Sequence, residues 1–133
     1  MRQVSSLLVV LSILFWALQS VVGDSTPPPQ ASRDCLQEWK SARGTHCGDS
    51  DSIEWTAVNS CRDPIDVQVC MNNRAREGWQ WQCRATSGLK PNEWLDGHAF
   101  WTCHSTGKRV SWARKAGDFK TLFPAVPAES PAP

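Results

Sequence analysis

The chain has 133 residues, with 14 lysines and arginines against 13 aspartates and glutamates, six cysteines, eight tryptophans and no tyrosine. This near-neutral charge lacks the basic surplus that nucleic-acid binders normally carry, so nucleic acid is not a predicted partner. The length, with every cysteine between Cys35 and Cys103, predicts one small domain.

Residues 1–23 have the organisation of a secretory signal peptide. Arg2 precedes an apolar run from Leu7 to Leu18, and small residues ending at Gly23 form a cleavage site. The run is too short to span a bilayer comfortably, so a retained membrane anchor is the weaker alternative. We therefore expect a secreted or periplasmic protein that has no membrane span after processing.

A proline-rich segment and one helix are predicted to follow the leader. Residues 24–33 read as an extended linker. Asp34 resembles a helix cap, because its carboxylate can accept hydrogen bonds from the amides of the first turn. Leu36 and Trp39 would then share a helical face, and Gly44 would end the helix. The sequence thus predicts a short N-terminal helix.

The rest of the domain shows the alternation of apolar and polar residues that is typical of β-strands. The segments Ile53–Cys61 and Ile65–Cys70 are joined by a turn and are predicted to pair as an antiparallel hairpin. Further strands are predicted over residues 79–84, 98–104 and 109–114. Together these elements predict a mainly β fold, a small antiparallel sheet or sandwich with the N-terminal helix. The predicted domain spans residues 34–112, and a tail rich in proline and alanine covers residues 113–133.

The cysteines are predicted to form three disulfides, because a domain of this size buries too little apolar surface to be stable without added restraint. Spacing alone does not choose among the possible pairings. A Cys35–Cys47 bridge fits the predicted elements, as does a Cys70–Cys83 bridge if a bulge or an edge position corrects the direction of Cys70. No CxxC pair is present, so no metal and no cofactor are predicted. The full set is Cys35, Cys47, Cys61, Cys70, Cys83 and Cys103.

Seven tryptophans remain after removal of the leader. An indole buries roughly 150–250 Å², and a soluble monomer rarely exposes a large apolar patch, so most of the seven are predicted to be buried. Strand alternation assigns four of them to one core, namely Trp55, Trp79, Trp81 and Trp101.

Trp94 differs because it lies in a loop between predicted strands, beside the polar residues Asn92, Glu93 and Asp96. Loops on a rigid scaffold often carry binding residues, although a loop tryptophan can instead close the end of a small sandwich. We predict that these four residues bind a ligand. The protein is then a monomeric, non-catalytic binding module for a cell-envelope or extracellular ligand, with glycan favoured over protein.

A small hydrolase is the alternative function. Glu93, with His98 or His104 and Arg109, has the residue types that a nuclease-like enzyme needs as acid, base and anion contact. Glycoside hydrolysis would need two carboxylates, and Glu54 and Glu93 are candidates by type. No sequence motif of a known catalytic site links these residues, so an enzyme is the less favoured function.

A protein inhibitor is the third possibility. The loop that contains Lys90 and Pro91 is stiffened by proline, and a stiff loop binds another enzyme's cleft with little loss of conformational entropy.

The residues from Asn59 to Cys70 follow the pattern NxCxxPIxVxxC. This pattern resembles that of small exported bacterial cysteine-rich domains, which often continue with a glycine, an aromatic residue and a cysteine, as do Gly78, Trp79 and Cys83. The resemblance implies an exported domain held by disulfides. Those domains have no settled biochemical role, so it transfers no functional residues.

Overall fold

The computed structural model describes residues 27–44, 46–47, 52–75, 78–96 and 98–126, except for the side chains of Ala75 and Trp79. The predicted signal peptide and the end of the tail lie outside these residues. The described chain contains six strands. They are β1 (Leu36–Gly44), β2 (Ser52–Asn59), β3 (Ile65–Ala75), β4 (Gly78–Leu89), β5 (Trp101–Thr102) and β6 (Ser105–Lys115).

The strands form two antiparallel sheets of three strands each. Sheet 1 has the order β1-β2-β5, and sheet 2 has the order β4-β3-β6. The mainly β architecture is therefore as predicted. The predicted strands over residues 79–84, 98–104 and 109–114 correspond to β4, β5 and β6, although β5 is reduced to two residues and β6 extends in both directions.

The predicted N-terminal helix is wrong, because its residues form β1 and no helix occurs among the described residues. The register of β1 against β2 shifts between Gln37 and Lys40, and Glu38 has a φ of 53°. This bulge inserts one extra residue into β1. Leu36 and Trp39 consequently both pack on the core, although residues three apart in a regular strand point to opposite faces. The same spacing is typical of a helical face.

The predicted hairpin between the segments 53–61 and 65–70 is also wrong. These segments are β2 and β3, which belong to different sheets. The connection between them is fastened by Asn59, whose side-chain amide donates hydrogen bonds to the carbonyls of Asp63 (3.0 Å) and Leu89 (2.9 Å). Asn59 is fully buried, so these bonds satisfy a polar group that would otherwise be costly. The connection therefore turns away from sheet 1 towards sheet 2.

The main core lies between the two sheets. Four apolar residues of β3 are fully buried there, because β3 is the central strand of sheet 2. Leu95 and Phe100, from the segment between β4 and β5, fill the same space. The buried members of this cluster are Leu36, Ala57, Ile65, Val67, Val69, Met71, Leu89, Leu95, Phe100 and Ala113.

A second, smaller apolar cluster covers the opposite face of sheet 2. It contains Ala31, Cys70 and Trp112, with Trp81 and Phe123 packed against it. The segments before β1 and after β6 close this face. Ala31 N–H donates to Leu122 O (3.0 Å), and further bridges join residue 30 to 122 and residue 32 to 113. Packing thus extends on both sides of the predicted bounds at residues 34 and 112.

The six cysteines form three disulfides, as predicted, and they are Cys35–Cys61, Cys47–Cys103 and Cys70–Cys83. The Cys35–Cys47 pairing is wrong, because extended β1 separates these residues by roughly 30 Å at strand rise, far beyond the reach of a disulfide. The Cys70–Cys83 pairing is confirmed. It needs no bulge and no edge position, since the two residues are direct partners across β3 and β4 and β3 is central.

The tryptophans do not share one core. Trp112 is the buried one among those whose side chains are described, with 4% of its surface exposed. Trp55 is half-buried against the main core and Trp81 against the second cluster. Trp101 is half-buried at β5, and the side chain of Trp79 lies outside the description. The single-core assignment fails because indoles from two sheets face different layers, and cationic side chains cover several of them.

Candidate functional site

A groove of about 410 Å³ lies on the face of sheet 1 that points away from the core. Cross-strand partners share a face, and Thr56 pairs with Lys40 while Glu54 pairs with Ala42. Ala57, which alternates with them, points into the core. The volume lies in the range of small-molecule sites. The lining residues are Lys40, Ser41, Ala42, Glu54, Thr56 and Asp96.

Trp94 lies beside the groove, against the lining residue Lys40. Trp94 forms an isolated bridge with Val58, which places its side chain on the same outer face as that of Val58. The ammonium nitrogen of Lys40 lies 4.1 Å from the centroid of the indole ring. A cation at this distance is attracted by the ring face. The contact joins β1 to the loop after β4 and leaves Trp94 half-buried.

Trp101 lies on the same face as the lining residue Glu54, its cross-strand partner. The His46 ring stacks on the Trp101 ring with centroids 5.0 Å apart and an interplanar angle of 15°. The guanidinium carbon of Arg84 also lies over the Trp101 ring, 5.1 Å from its centroid. His46 Nε2 is 3.6 Å from Glu54 Oε2. Trp101 is therefore covered by two other side chains beside the groove and is not one of its lining residues.

Thr56 lines the groove, but its hydroxyl is buried beneath the groove surface. Its Oγ1 has no hydrogen-bond partner among the described residues. A buried polar atom without a partner costs about 1–3 kcal/mol. Rotation of the side chain would expose the hydroxyl, and a ligand group that binds it would recover that cost.

The four residues predicted to bind a ligand have different surroundings. Asp96 lines the groove and Trp94 borders it. Asn92 and Glu93 instead hold the loop against β2, since Asn92 N–H donates to Asn59 O (2.8 Å) and Asn59 N–H donates to Glu93 O (3.0 Å). Asn92 has a φ of 62°, a conformation that asparagine tolerates better than most residues. Asp96 therefore lies at the groove and Trp94 beside it, whereas Asn92 and Glu93 hold the loop on β2. That these four residues bind a ligand stays a prediction.

The catalytic candidates are brought together only in part. Glu93 Oε1 lies 3.8 Å from His98 Nε2, and Thr86 Oγ1 lies 3.1 Å from His98 Nδ1. Glu93 Oε2 also accepts a hydrogen bond from Lys90 N–H (2.7 Å), which ties the exposed Lys90–Pro91 turn to the same carboxylate. His104 is elsewhere, with its carbonyl accepting a hydrogen bond from Arg74 N–H (2.8 Å).

Arg109 is separated from this cluster. It lies on β6, across β3 from the β4 strand that carries Thr86, and the two residues are displaced by four positions along β3, roughly 13 Å at strand rise. Its guanidinium carbon is 3.5 Å from the centroid of Trp39 and 4.9 Å from that of Trp55. Burial lowers the pKa of Arg109. The acid, base and cation of the nuclease-like alternative are therefore not assembled.

The described residues also lack two further features. No group of three histidine, cysteine, aspartate or glutamate side chains there has the proximity to hold a metal ion. None of the elements in that part of the chain is a helix with the length and apolarity needed to cross a membrane.

Sequence reasoning missed Lys40 and Thr56 as groove residues. The alternation of β2 does put Glu54 and Thr56 on one face, and this signal was available. Lys40 was not identified because β1 was predicted to be helical. A helical β1 gives no reason to expect Lys40 opposite Thr56.

The geometry defines a small two-sheet β domain that is held by three disulfides and carries a groove on the outer face of sheet 1. Comparison with known proteins finds no matching family model, no significantly similar curated protein and no significantly similar solved structure. The resemblance of residues 59–83 to small exported bacterial domains therefore stays a prediction.

Proposed function

We propose that the protein is a secreted, non-catalytic module that binds a glycan of the cell envelope or extracellular space in the groove of sheet 1. Three disulfides support an oxidising, extracellular-type environment, because such bonds persist where thiols are not kept reduced.

The observation that carries the proposal is the groove itself, whose polar lining lies beside an aromatic side chain. Trp94 is half-buried, and its indole is a flat apolar surface of the kind that packs on the carbon face of a sugar ring. Glu54 and Asp96, which line the groove, supply acceptors for sugar hydroxyl groups. Concave sites of this kind take orientation and specificity from a few such polar groups.

The experiment is a glycan array followed by titration calorimetry of the best binder. We expect Trp94→Ala to weaken binding at least about tenfold, which corresponds to about 1.4 kcal/mol, since one stacking surface and the anchor of Lys40 are lost. Lys40→Ala should also weaken binding. Lys115→Ala is the matched control, because Lys115 is exposed and its ion-pair partner is Asp63, away from the groove. Absence of binding by the wild type, or binding unchanged in Trp94→Ala, would contradict the proposal.

A hydrolase is the second candidate, and the Glu93–His98–Thr86 contacts favour it. The Thr86 hydroxyl is within hydrogen-bond distance of the His98 imidazole, and the Glu93 carboxylate, 3.8 Å from the other ring nitrogen, would need to move closer for proton transfer. If the wild type cleaves RNA or peptidoglycan and both Glu93→Gln and His98→Ala abolish cleavage while leaving glycan binding intact, the non-catalytic proposal is wrong.

A further inference from the structure

The groove lining carries more negatively charged side chains than positively charged ones. Two carboxylates, those of Glu54 and Asp96, line it together with one ammonium group, that of Lys40. The Lys40 ammonium is already engaged by the Trp94 ring at 4.1 Å. A ligand entering the groove therefore meets an excess of negative charge.

The two carboxylates differ in their partners. Glu54 lies 3.6 Å from His46, which carries positive charge only when it is protonated. Asp96 is exposed, and no ion pair with it is present within the described residues. Neither carboxylate is neutralised by a lysine or arginine there, so both can pair with a cationic group of a ligand.

An independent observation at the same place concerns Thr56, which lines the groove while its hydroxyl is buried without a partner in the described part of the chain. Thr56 lies opposite Lys40, one alternation from Glu54 on the same face. A donor that reaches Glu54 therefore comes close to Thr56, and rotation of the threonine side chain would present its hydroxyl to that donor.

We propose that the groove selects saccharides with unacetylated amino groups, namely hexosamine units whose amines are protonated. This inference rests on the proposed glycan-binding function. The sugar ring would lie against Trp94 while its ammonium group pairs with Glu54 or Asp96. An N-acetyl group removes the charge and adds bulk, so acetylated units lose this interaction. A basic peptide offers cations without a flat ring face for the Trp94 indole, which makes it the poorer occupant.

The test is titration calorimetry with glucosamine oligomers and with N-acetylglucosamine oligomers of equal length, in mildly acidic buffer where amines are protonated and carboxylates are ionised. We expect the glucosamine oligomer to bind roughly tenfold more tightly, the ratio that one charge-assisted hydrogen bond can supply. Added salt should reduce this preference, since the carboxylates are partly exposed.

Single substitutions measure how much each carboxylate contributes to binding of the glucosamine oligomer. Glu54→Gln and Asp96→Asn should each weaken binding of the glucosamine oligomer more than binding of the acetylated oligomer, because the amide keeps an acceptor for sugar hydroxyl groups but removes the charge that pairs with an ammonium group. Asp63→Asn is the control, because this exposed carboxylate pairs with Lys115 outside the groove. Near-ultraviolet circular dichroism of every variant reports whether the tryptophan surroundings are intact.

Failure of the proposed selectivity for amino sugars can be distinguished from failure of the proposed glycan binding. Equal affinity for the two oligomers, or an unchanged preference in the Glu54→Gln, Asp96→Asn double variant, overturns the selectivity and leaves glycan binding standing. If neither oligomer binds and the array is also silent, the proposed function fails and this inference with it. A lysine-rich peptide that binds as tightly as the glucosamine oligomer overturns the assignment of a sugar.

Discussion

Arg109 lies between two indole rings instead of beside a carboxylate. Its guanidinium contacts the faces of Trp39 and Trp55, whose rings meet edge to face with centroids 6.5 Å apart. Its Nε and the Trp55 Nε1 are buried without hydrogen-bond partners among the described residues. The interaction is therefore one of ring faces with a planar cation, and the same buried position lowers the pKa of Arg109.

Substitutions at Arg109 separate packing from charge. Arg109→Ala should lower the free energy of unfolding by about 2 kcal/mol, because it leaves space between the two indoles and removes the cation. Arg109→Met should cost less than about 1 kcal/mol, since methionine fills the space and removes the unpartnered Nε–H. Urea unfolding followed by tryptophan fluorescence measures both. If Arg109→Met is as destabilising as Arg109→Ala, the charge and not the packing carries the interaction.

At the scale of single residues, the sequence drew attention to part of the candidate groove, which Asp96 lines and Trp94 adjoins. Both were singled out because an aromatic residue among polar neighbours in a loop stands out without knowledge of the fold, and ligand binding by them stays a prediction. Asn92 and Glu93 have the same composition signal but make backbone-directed contacts, and sequence alone does not distinguish these roles. Lys40 needed the pairing of β1 with β2, which only tertiary structure supplies.

At the scale of elements, β1 shows why a local pattern misled the prediction. Leu36 and Trp39 have helical spacing, and Asp34 is a good cap residue, so local preference favoured a helix. The bulge at Glu38 satisfies the same apolar spacing within a strand. Tertiary packing decides between the two, because β1 completes sheet 1 and buries Leu36 in the core.

The bulge makes Glu38 sensitive to the type of side chain. Its φ of 53° lies in the left-handed region, which glycine adopts without strain and β-branched residues adopt poorly. Glu38→Gly should leave the free energy of unfolding unchanged or raise it by up to about 1 kcal/mol. Glu38→Val should lower it by about 1–3 kcal/mol. Chemical denaturation compares the two variants, and equal stabilities would show that the bulge does not constrain this residue.

At the scale of the whole molecule, the mainly β class was predictable but the division into two sheets was not. Alternation is a property of each strand by itself, and it identified β2, β3 and β4. The choice of partner depends on where the connections lead, and the buried Asn59 that redirects the chain after β2 gives no signal in a pattern of apolar and polar residues. The disulfide pairing was open for the same reason.

The disulfides should contribute unequally to stability. Cys70–Cys83 closes a separation of 13 residues and Cys47–Cys103 one of 56. Chain entropy assigns them about 3 and about 4 kcal/mol, respectively. Replacing Cys47 and Cys103 with alanine should therefore lower the free energy of unfolding by about 1 kcal/mol more than the same replacement of Cys70 and Cys83. Guanidinium unfolding of the two double variants measures the difference. The reverse order would mean that native-state packing, and not loop closure, dominates.

The arrangement of the chain ends has a consequence for display of the domain. The segments that enter β1 and leave β6 run side by side over the outer face of sheet 2, where residues 30 and 122 are bridged. The groove opens on the outer face of sheet 1. An attachment made next to either of these segments would lie on the sheet 2 side of the domain, so the groove would face away from the support.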